Sequence, residues 1–410
     1  YLYFYTLEPP QVHTNMINIV TYNVLSPELS EPATFPENTN DECDGAQRLP
    51  RILAKIQIQI QNNAIISLQE VSITWLGALH ELFDRHNYHY THTLYGGWYS
   101  GYMGVGLAFP RALYSLSTFE ISRIADTKEW PRLTTHTQKQ ETKTSASEST
   151  LTRTWNYSAV YLRNVFDPLF VLSSYAFGSS TESNDDKKTS ATNSNKRKKQ
   201  QEDPPDVATF YRAKKRWNQA ILVRLQRKSD GRIFCVTNYH NPCAIDLRPI
   251  ITFHAAMYLM KAQKFAKNDP LIVCGDFNMT PDSGGYQLTT TGQLELSHSE
   301  YPTLPAGDSW KPTVVPMISA LASVLGEEPE LTNKAVRLIG KWGAEPNAFS
   351  GTLDYIFISK GLRAVATLPL PSSNDLAAKS FPTNNIPSDH LLIGASVELT
   401  TGINTEESKM

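Results

Sequence analysis

Leu271-Ile272-Val273-Cys274 runs into Gly275-Asp276-Phe277-Asn278 and then Met279-Thr280-Pro281-Asp282-Ser283, and this stretch decides the architecture. Four consecutive apolar residues read as a strand buried on both faces. The run breaks at a glycine and delivers a carboxylate and an amide, and Pro-Asp-Ser marks the turn that follows. The same design recurs along the chain. Ile17–Val24 (INIVTYNV) is a β-rich run that delivers Asn23, and Ala64–Leu68 is an apolar strand that delivers Glu70. Phe234–Asn238 leads to His240, Leu353 leads into Asp354, and Ser388-Asp389-His390 stands immediately before the last strand, Leu391–Glu398.

Between these strands the period changes. Leu49, Leu53, Ile56 and Ile60 share a helical face within Arg48–Ile60, and Trp75, Leu76, Leu79, Leu82 and Phe83 mark a second helix. Ile251, Ala255, Tyr258, Leu259, Ala262 and Phe265 mark a third. Ser26–Gly45 is polar with scattered prolines and reads as loop. Val105–Phe109 and Phe170–Ser174 read as strands, and Ala220–Leu225 with Arg232–Asn238 reads as a hairpin turning at Gly231. Strand, helix, strand, helix from the start of the chain is the signature of an α/β layer fold. His86, His89 and His92, interleaved with Tyr88 and Tyr90, are read as one face of a strand with a structural role.

Composition narrows the functional classes. A net charge of −2 excludes a wholesale basic surface, but a local groove or a bound metal still meets phosphates. Four cysteines without a C-x-x-C pair argue against a disulfide framework and a structural zinc site, and favour an intracellular setting. Cytoplasm, nucleus and mitochondrion stay equally open. No apolar run reaches the roughly 18 residues that cross a bilayer, so no membrane association is expected. At 410 residues, length alone suggests two or three domains. Against this, segments 134–150 and 179–206 are dominated by Ser, Thr, Asn, Lys and acidic residues and read as surface insertions. The run Lys196–Lys199 is taken as part of a solvated loop. The expected organisation is an extension over 1–15, one domain over 16–400 carrying both insertions, and a tail over 401–410.

Carboxylates, amides and imidazoles at strand ends converge when strands lie side by side. Glu and Asp are oxygen ligands suited to Mg²⁺ or Mn²⁺, which share their shell with substrate phosphate. Asn and His donate hydrogen bonds to phosphate oxygens. Each residue alone carries little weight; the ordered set carries much.

The ordered set resembles the endonuclease/exonuclease/phosphatase superfamily, the DNase I-like metal-dependent phosphodiesterases. The matching motifs are TYNVLS (21–26), ISLQEV (66–71), TNYH (237–240), CGDFNMTPDS (274–283), GTLDYIF (351–357) and IPSDH (386–390). Pro281-Asp282-Ser283, the helix after His240, EPELTN (328–333) and Phe349 are similar to the branch that holds deadenylases, nocturnin, angel-type proteins and 2′-5′ phosphodiesterases.

The resemblance implies a four-layer α/β sandwich, two mostly antiparallel sheets face to face and flanked by helices. It implies Glu70 as the principal Mg²⁺ ligand with Asn23 and Asp389 near the metal, and Asp276 as general base with Asn278 beside it. It further implies His240 on a phosphate oxygen, Asp354–His390 as a paired carboxylate and imidazole, Phe349 stacking on a base and Asn333 beside it. The implied activity is hydrolysis of single-stranded RNA from a 3′ end. Small nucleotides such as 2′-5′ oligonucleotides are the alternative substrate, and a non-catalytic RNA-binding scaffold within a larger assembly is the alternative of another class. Two departures bear on substrate choice. His240 runs into Asn241-Pro242-Cys243 without the aromatic residue usual in those relatives, and Lys334–Asn347 separates Asn333 from Phe349. The substrate wall is therefore expected to be rebuilt.

Overall fold

Alternation along the first strand sets the layering. In β1 (Met16–Asn23), Ile17 and Ile19 point to one face and Val20 and Tyr22 to the other, and all four are buried. A strand buried on both faces lies inside a layered fold. The computed structural model describes residues 16–131, 205–305, 310–339 and 345–400. The expected extension, tail and insertion 134–150, the expected strand 170–174, and segment 179–206 up to residue 204 lie outside them. Pro205 and Asp206 begin the helix Pro205–Lys214.

The strands that follow are β2 (Ile65–Val71), β3 (Tyr88–His92), β4 (Gly104–Pro110), β5 (Tyr114–Arg123), β6 (Gln219–Arg227), β7 (Ile233–His240) and β8 (Leu271–Asp276). After them come β9 (Ile318–Ser319), β10 (Asn333–Ile339), β11 (Glu345–Gly351), β12 (Asp354–Ile358), β13 (Leu362–Thr367) and β14 (Ile393–Leu399). One six-stranded sheet runs β13-β14-β1-β2-β4-β3 and the other β5-β6-β7-β8-β12-β9; β10 and β11 form a separate two-stranded hairpin. The pairs β1–β2 and β7–β8 are parallel and the other pairs are antiparallel. Between the sheets, Ile17, Ile19 and Leu107 share a core with Val223, Val236 and Ile272. On the outer face of the first sheet, Val20, Ile66 and Leu68 pack against Ile52 and Ile56 of the helix Gly45–Gln61 and Phe83 of the helix Leu76–Arg85. On the second sheet, Tyr239 meets Tyr258 of the helix Arg248–Ala266 at a ring separation of 4.6 Å. The expected four-layer α/β sandwich is the observed fold.

Local chemistry accounts for where elements start. Asp44 caps the helix Gly45–Gln61 by accepting from Ala46 N at 2.9 Å. The stretch 26–45, read as loop, contains a helical turn, Asn40–Cys43, set by a capping box between Thr39 and Glu42. The histidine reading needs correction. His86 lies outside β3 at the end of the preceding helix. His89 and His92 are three residues apart, and side chains alternate along a strand, so they take opposite faces. His89 stacks on Phe109 with centroids 4.9 Å apart, and His92 meets His80 at 5.1 Å. The four cysteines are free, as expected, and no helix among the described residues is long and apolar enough to cross a membrane.

Two polar devices fix the end of the sandwich where the site lies. Gln69 Nε2 donates to Asn238 Oδ1 at 2.7 Å across the sheets, and Asn238 Nδ2 donates to Gly106 O at 2.7 Å. Arg48 is fully buried. Its guanidinium donates to Val24 O and Leu25 O at 2.6 Å, and to Pro387 O and Ser30 Oγ at 2.7 Å. One cation thus ties the turn after β1 to the turn before β14. Arg48→Ala leaves those acceptors buried without a donor, and should destabilise the chain by about 3–5 kcal/mol, as when one partner of a buried charged contact is removed. Arg48→Lys keeps the charge but not the planar fork, and should fall between wild type and Arg48→Ala. Urea unfolding midpoints followed by circular dichroism check both.

Candidate active site

Strand register places three chemical groups in a row. His240 is the register partner of Asp276 in the parallel pair β7–β8, and Asp354 is the partner of Asp276 in the antiparallel pair β8–β12. Gly275 makes the approach to β7 feasible. Its φ is +147°, and a Cβ there would lie 1.8 Å from Tyr239 O. On the facing sheet, Asn23 ends β1 and Glu70 lies near the end of the neighbouring β2. Glu70 and Asn278 have φ of +57° and +50°, a backbone region costly for residues with side chains and concentrated at functional sites.

The amide of Asn23 joins the two halves. Its Nδ2 donates to Glu70 Oε1 at 3.1 Å and to Asp276 Oδ2 at 3.0 Å, while its Oδ1 accepts from Leu25 N at 3.0 Å. Glu70 Oε2 accepts from Ser26 N at 3.2 Å, and Asp276 Oδ1 accepts from Asn278 N at 2.9 Å. Asn278 Nδ2 donates to Asn241 O at 2.9 Å, and Asn241 in turn donates to Phe277 O at 2.9 Å. Asn241, which follows His240 where an aromatic residue was expected, is therefore a bracket between β7 and the segment after β8. His240 Nε2 is 3.5 Å from Asp276 Oδ2, and its Nδ1 is buried without a partner.

His390 Nδ1 is 2.7 Å from Asp354 Oδ2, which also accepts from Thr332 Oγ1 at 2.6 Å. The other imidazole nitrogen faces Asp276 Oδ2 at 3.6 Å. Burial disfavours a charge on His390, but Asp354, Asp276 and Asp389 outweigh it and push its pKa up to about 10. The pair therefore keeps its proton on the imidazole at neutral pH.

The sequence reading places Asn23 and Asp389 beside a metal, and the structure gives both other partners. Asn23 turns its nitrogen to the carboxylates. Asp389 Oδ2 is paired with Arg337 on β10, a residue the sequence reading passed over as part of an interruption. Burial alone would raise the Asp389 pKa; Arg337 outweighs it and holds the carboxyl below its usual range. Ligand atoms of Asp276, Asp354 and His390 lie within 4.8 Å of one another, but His390 and Asp354 are already engaged with each other. Glu70 and Asp276 accept from the one amide and offer the oxygen ligands that a hard divalent cation takes; Asp389 Oδ1, buried without a partner among the described residues, belongs to a residue that lines the same cleft.

These groups open into a cleft of about 880 Å³ that also admits Asn333, Phe349, Arg337 and Trp217. Of the interruption, Lys334–Ile339 falls in β10 and Glu345–Asn347 in β11, and the two strands pair antiparallel. Their register pairs Asn333 with Gly351 and Ala335 with Phe349, so Asn333 and Phe349 come back together at the hairpin base. The hairpin is zipped to the site: Lys334 N donates to Asp389 O at 3.1 Å, Leu391 N to Thr332 O at 2.7 Å, and Asn333 bridges His390. All ten residues singled out in the sequence stand at or beside this cleft.

Human 2′,5′-phosphodiesterase 12 is 30% identical over 126 residues, 30% of this chain and 19% of that protein. The Ccr4 3′-5′-exoribonuclease subunit of the CCR4-Not complex from Candida albicans is 27% identical over 211 residues, 47% of this chain and 25% of that protein. The chain thus aligns with a quarter or less of the length of these two relatives. Among solved structures, ANGEL2, a 2′,3′-cyclic phosphatase, superposes with a TM-score of 0.59 at 18% identity, covering 94% of this chain and 96% of that one. The model of the endonuclease/exonuclease/phosphatase family matches residues 20–390, and the chain belongs to that family.

Proposed function

We propose that the chain is a Mg²⁺-dependent phosphodiesterase that hydrolyses single-stranded RNA from a 3′ end. The observation that carries this reading is the convergence of Glu70 and Asp276 on the Asn23 amide, with His240 beside Asp276, at the floor of a cleft walled by Phe349. An exoribonuclease and a 2′,5′-phosphodiesterase among the relatives support phosphodiester chemistry on RNA.

Glu70 would hold the cation, and Asp389 lines the same cleft. A bound Mg²⁺ supplies neutralisation of charge on the phosphoryl oxygens. Asp276 accepts the proton of the attacking water as the bond from phosphorus to the 3′ oxygen of the remaining strand breaks, that oxygen taking its proton from solvent; hydrogen bonds from Asn23 and Asn278 N fix the Asp276 carboxylate in position. His240 Nε2 donates to a phosphoryl oxygen. His390, kept protonated by Asp354, presents a second positive donor to the same centre. Arg337 sits within reach of the cleft and keeps Asp389 ionised. Phe349 stacks on a base, and Asn333 contacts the same nucleotide. Positioning and electrostatics supply most of the rate in such phosphoryl transfers.

Asp276→Ala should lower kcat on single-stranded RNA by about 10²–10⁴-fold, the usual contribution of a general base. Glu70→Ala should lose comparable activity. Both should retain the native circular dichroism spectrum, and wild-type turnover by either would sink the assignment. EDTA should abolish hydrolysis and added Mg²⁺ restore it. The substrate panel comprises poly(A), mixed-sequence RNA, single-stranded DNA and 2′-5′ oligonucleotides; preference for the last would move the reading from 3′-5′ RNA to 2′-5′ linkages. Phe349→Ala should raise KM for RNA by about five- to 150-fold, the stacking contribution of one base, in initial-rate measurements.

A further inference from the structure

The segment between the helix Pro205–Lys214 and β6 carries Lys215-Arg216-Trp217-Asn218, and all four residues line the cleft. Trp217 is 55% exposed. Tryptophan is usually well covered, and this one is held rather than loose. The Arg123 guanidinium lies 4.0 Å from its ring centroid. Arg123 is itself fixed, donating to Arg216 O at 2.9 Å and to Asp126 Oδ1 at 3.2 Å. One face of the indole is thus covered by an anchored cation, and the ring still borders the cleft. The next residue ties the segment to the chemistry: Asn218 Nδ2 donates to His240 O at 2.8 Å. Tyr99, 66% exposed, lines the same cleft. An ordered aromatic face interleaved with Lys and Arg is the combination that tracks single-stranded nucleic acid.

We propose that Trp217 is a second stacking platform, separate from Phe349, for a base of single-stranded RNA upstream of the nucleotide being removed, with Lys215 and Arg216 on the adjoining phosphates. The proposal rests on the RNA reading above. Every base has a π-face, so the platform favours longer strands over short ones without selecting sequence. It also supplies, from another segment, the aromatic surface missing after His240.

The test uses the full chain carrying Asp276→Ala, with Mg²⁺, and fluorescein-labelled mixed-sequence RNA of two and six nucleotides. Fluorescence anisotropy should show the hexanucleotide binding tighter than the dinucleotide. Adding Trp217→Ala should remove most of that length dependence, weakening the hexanucleotide by about five- to 150-fold. Trp217→Phe should restore a large part of it. Equal weakening at both lengths marks a merely structural role and overturns the proposal, as does no change at either length, the result expected if the exposed indole meets a protein partner. Hydrolysis by the chain with Asp276 intact is read separately. No turnover of RNA together with a Trp217-dependent length effect overturns the hydrolytic reading and keeps the platform. Turnover with a length effect indifferent to Trp217 does the reverse, and no binding of either RNA overturns both.

Discussion

Two buried carboxylates, Glu70 and Asp276, converge from opposite sheets on one amide, and buried acidic groups brought together need hydrogen-bond partners to replace the water they have lost. The site depends on how that need is met. A single amide, Asn23, donates to both, and so satisfies each carboxylate without adding charge. Farther out, Arg48 and Arg337 supply positive charge at the sides of the site. Arg48 is held by backbone carbonyls and Arg337 by Asp389. The resulting arrangement holds acidic oxygens at the cleft with a hydrogen-bond partner for each.

The division of labour between strands and connections follows from stiffness. The chemical groups stand at or next to strand ends, where register fixes them to their neighbours: His240, Asp276 and Asp354 lie side by side because β7, β8 and β12 are adjacent. The groups proposed to meet the rest of a substrate stand on the hairpin and on a connection. Phe349 is on β11 and Trp217 is in a connection. Catalytic geometry is thereby insulated from changes in the walls, except where the hairpin is stitched to the residues around His390.

Much of this was legible in the sequence because strand ends carry a local signature. LIVC followed by GDFN needs no tertiary information to be read as a buried strand that presents a carboxylate. Alternating strands and helices follow from several such runs taken together; the layer order and the candidate site residues came from the resemblance those runs carry. What escaped the reading depends on distant partners. Arg48 reads as an ordinary polar position at the start of a helix, and only the fold shows it surrounded by carbonyls from both ends of the chain. Arg337 lay in a stretch read as an interruption, because a hairpin is defined by the pairing of its strands and that pairing is not written locally. His89 and His92 were assigned to one face although their spacing of three excludes it.

The hairpin's stitching has a consequence for how such a protein changes its preferences. The strand that carries one wall begins at Asn333, and Asn333 bridges the imidazole-bearing residue itself. Thr332, one residue earlier, holds Asp354. A transplant of the whole hairpin from a relative would import new contacts for the base and, in the same stroke, shift the carboxylate that orients His390. Selectivity and turnover are therefore not independent modules here. Exchanges in the two strands that spare this root and Arg337, which holds Asp389, are the ones free to drift, whereas the root evolves under the same constraint as the chemistry.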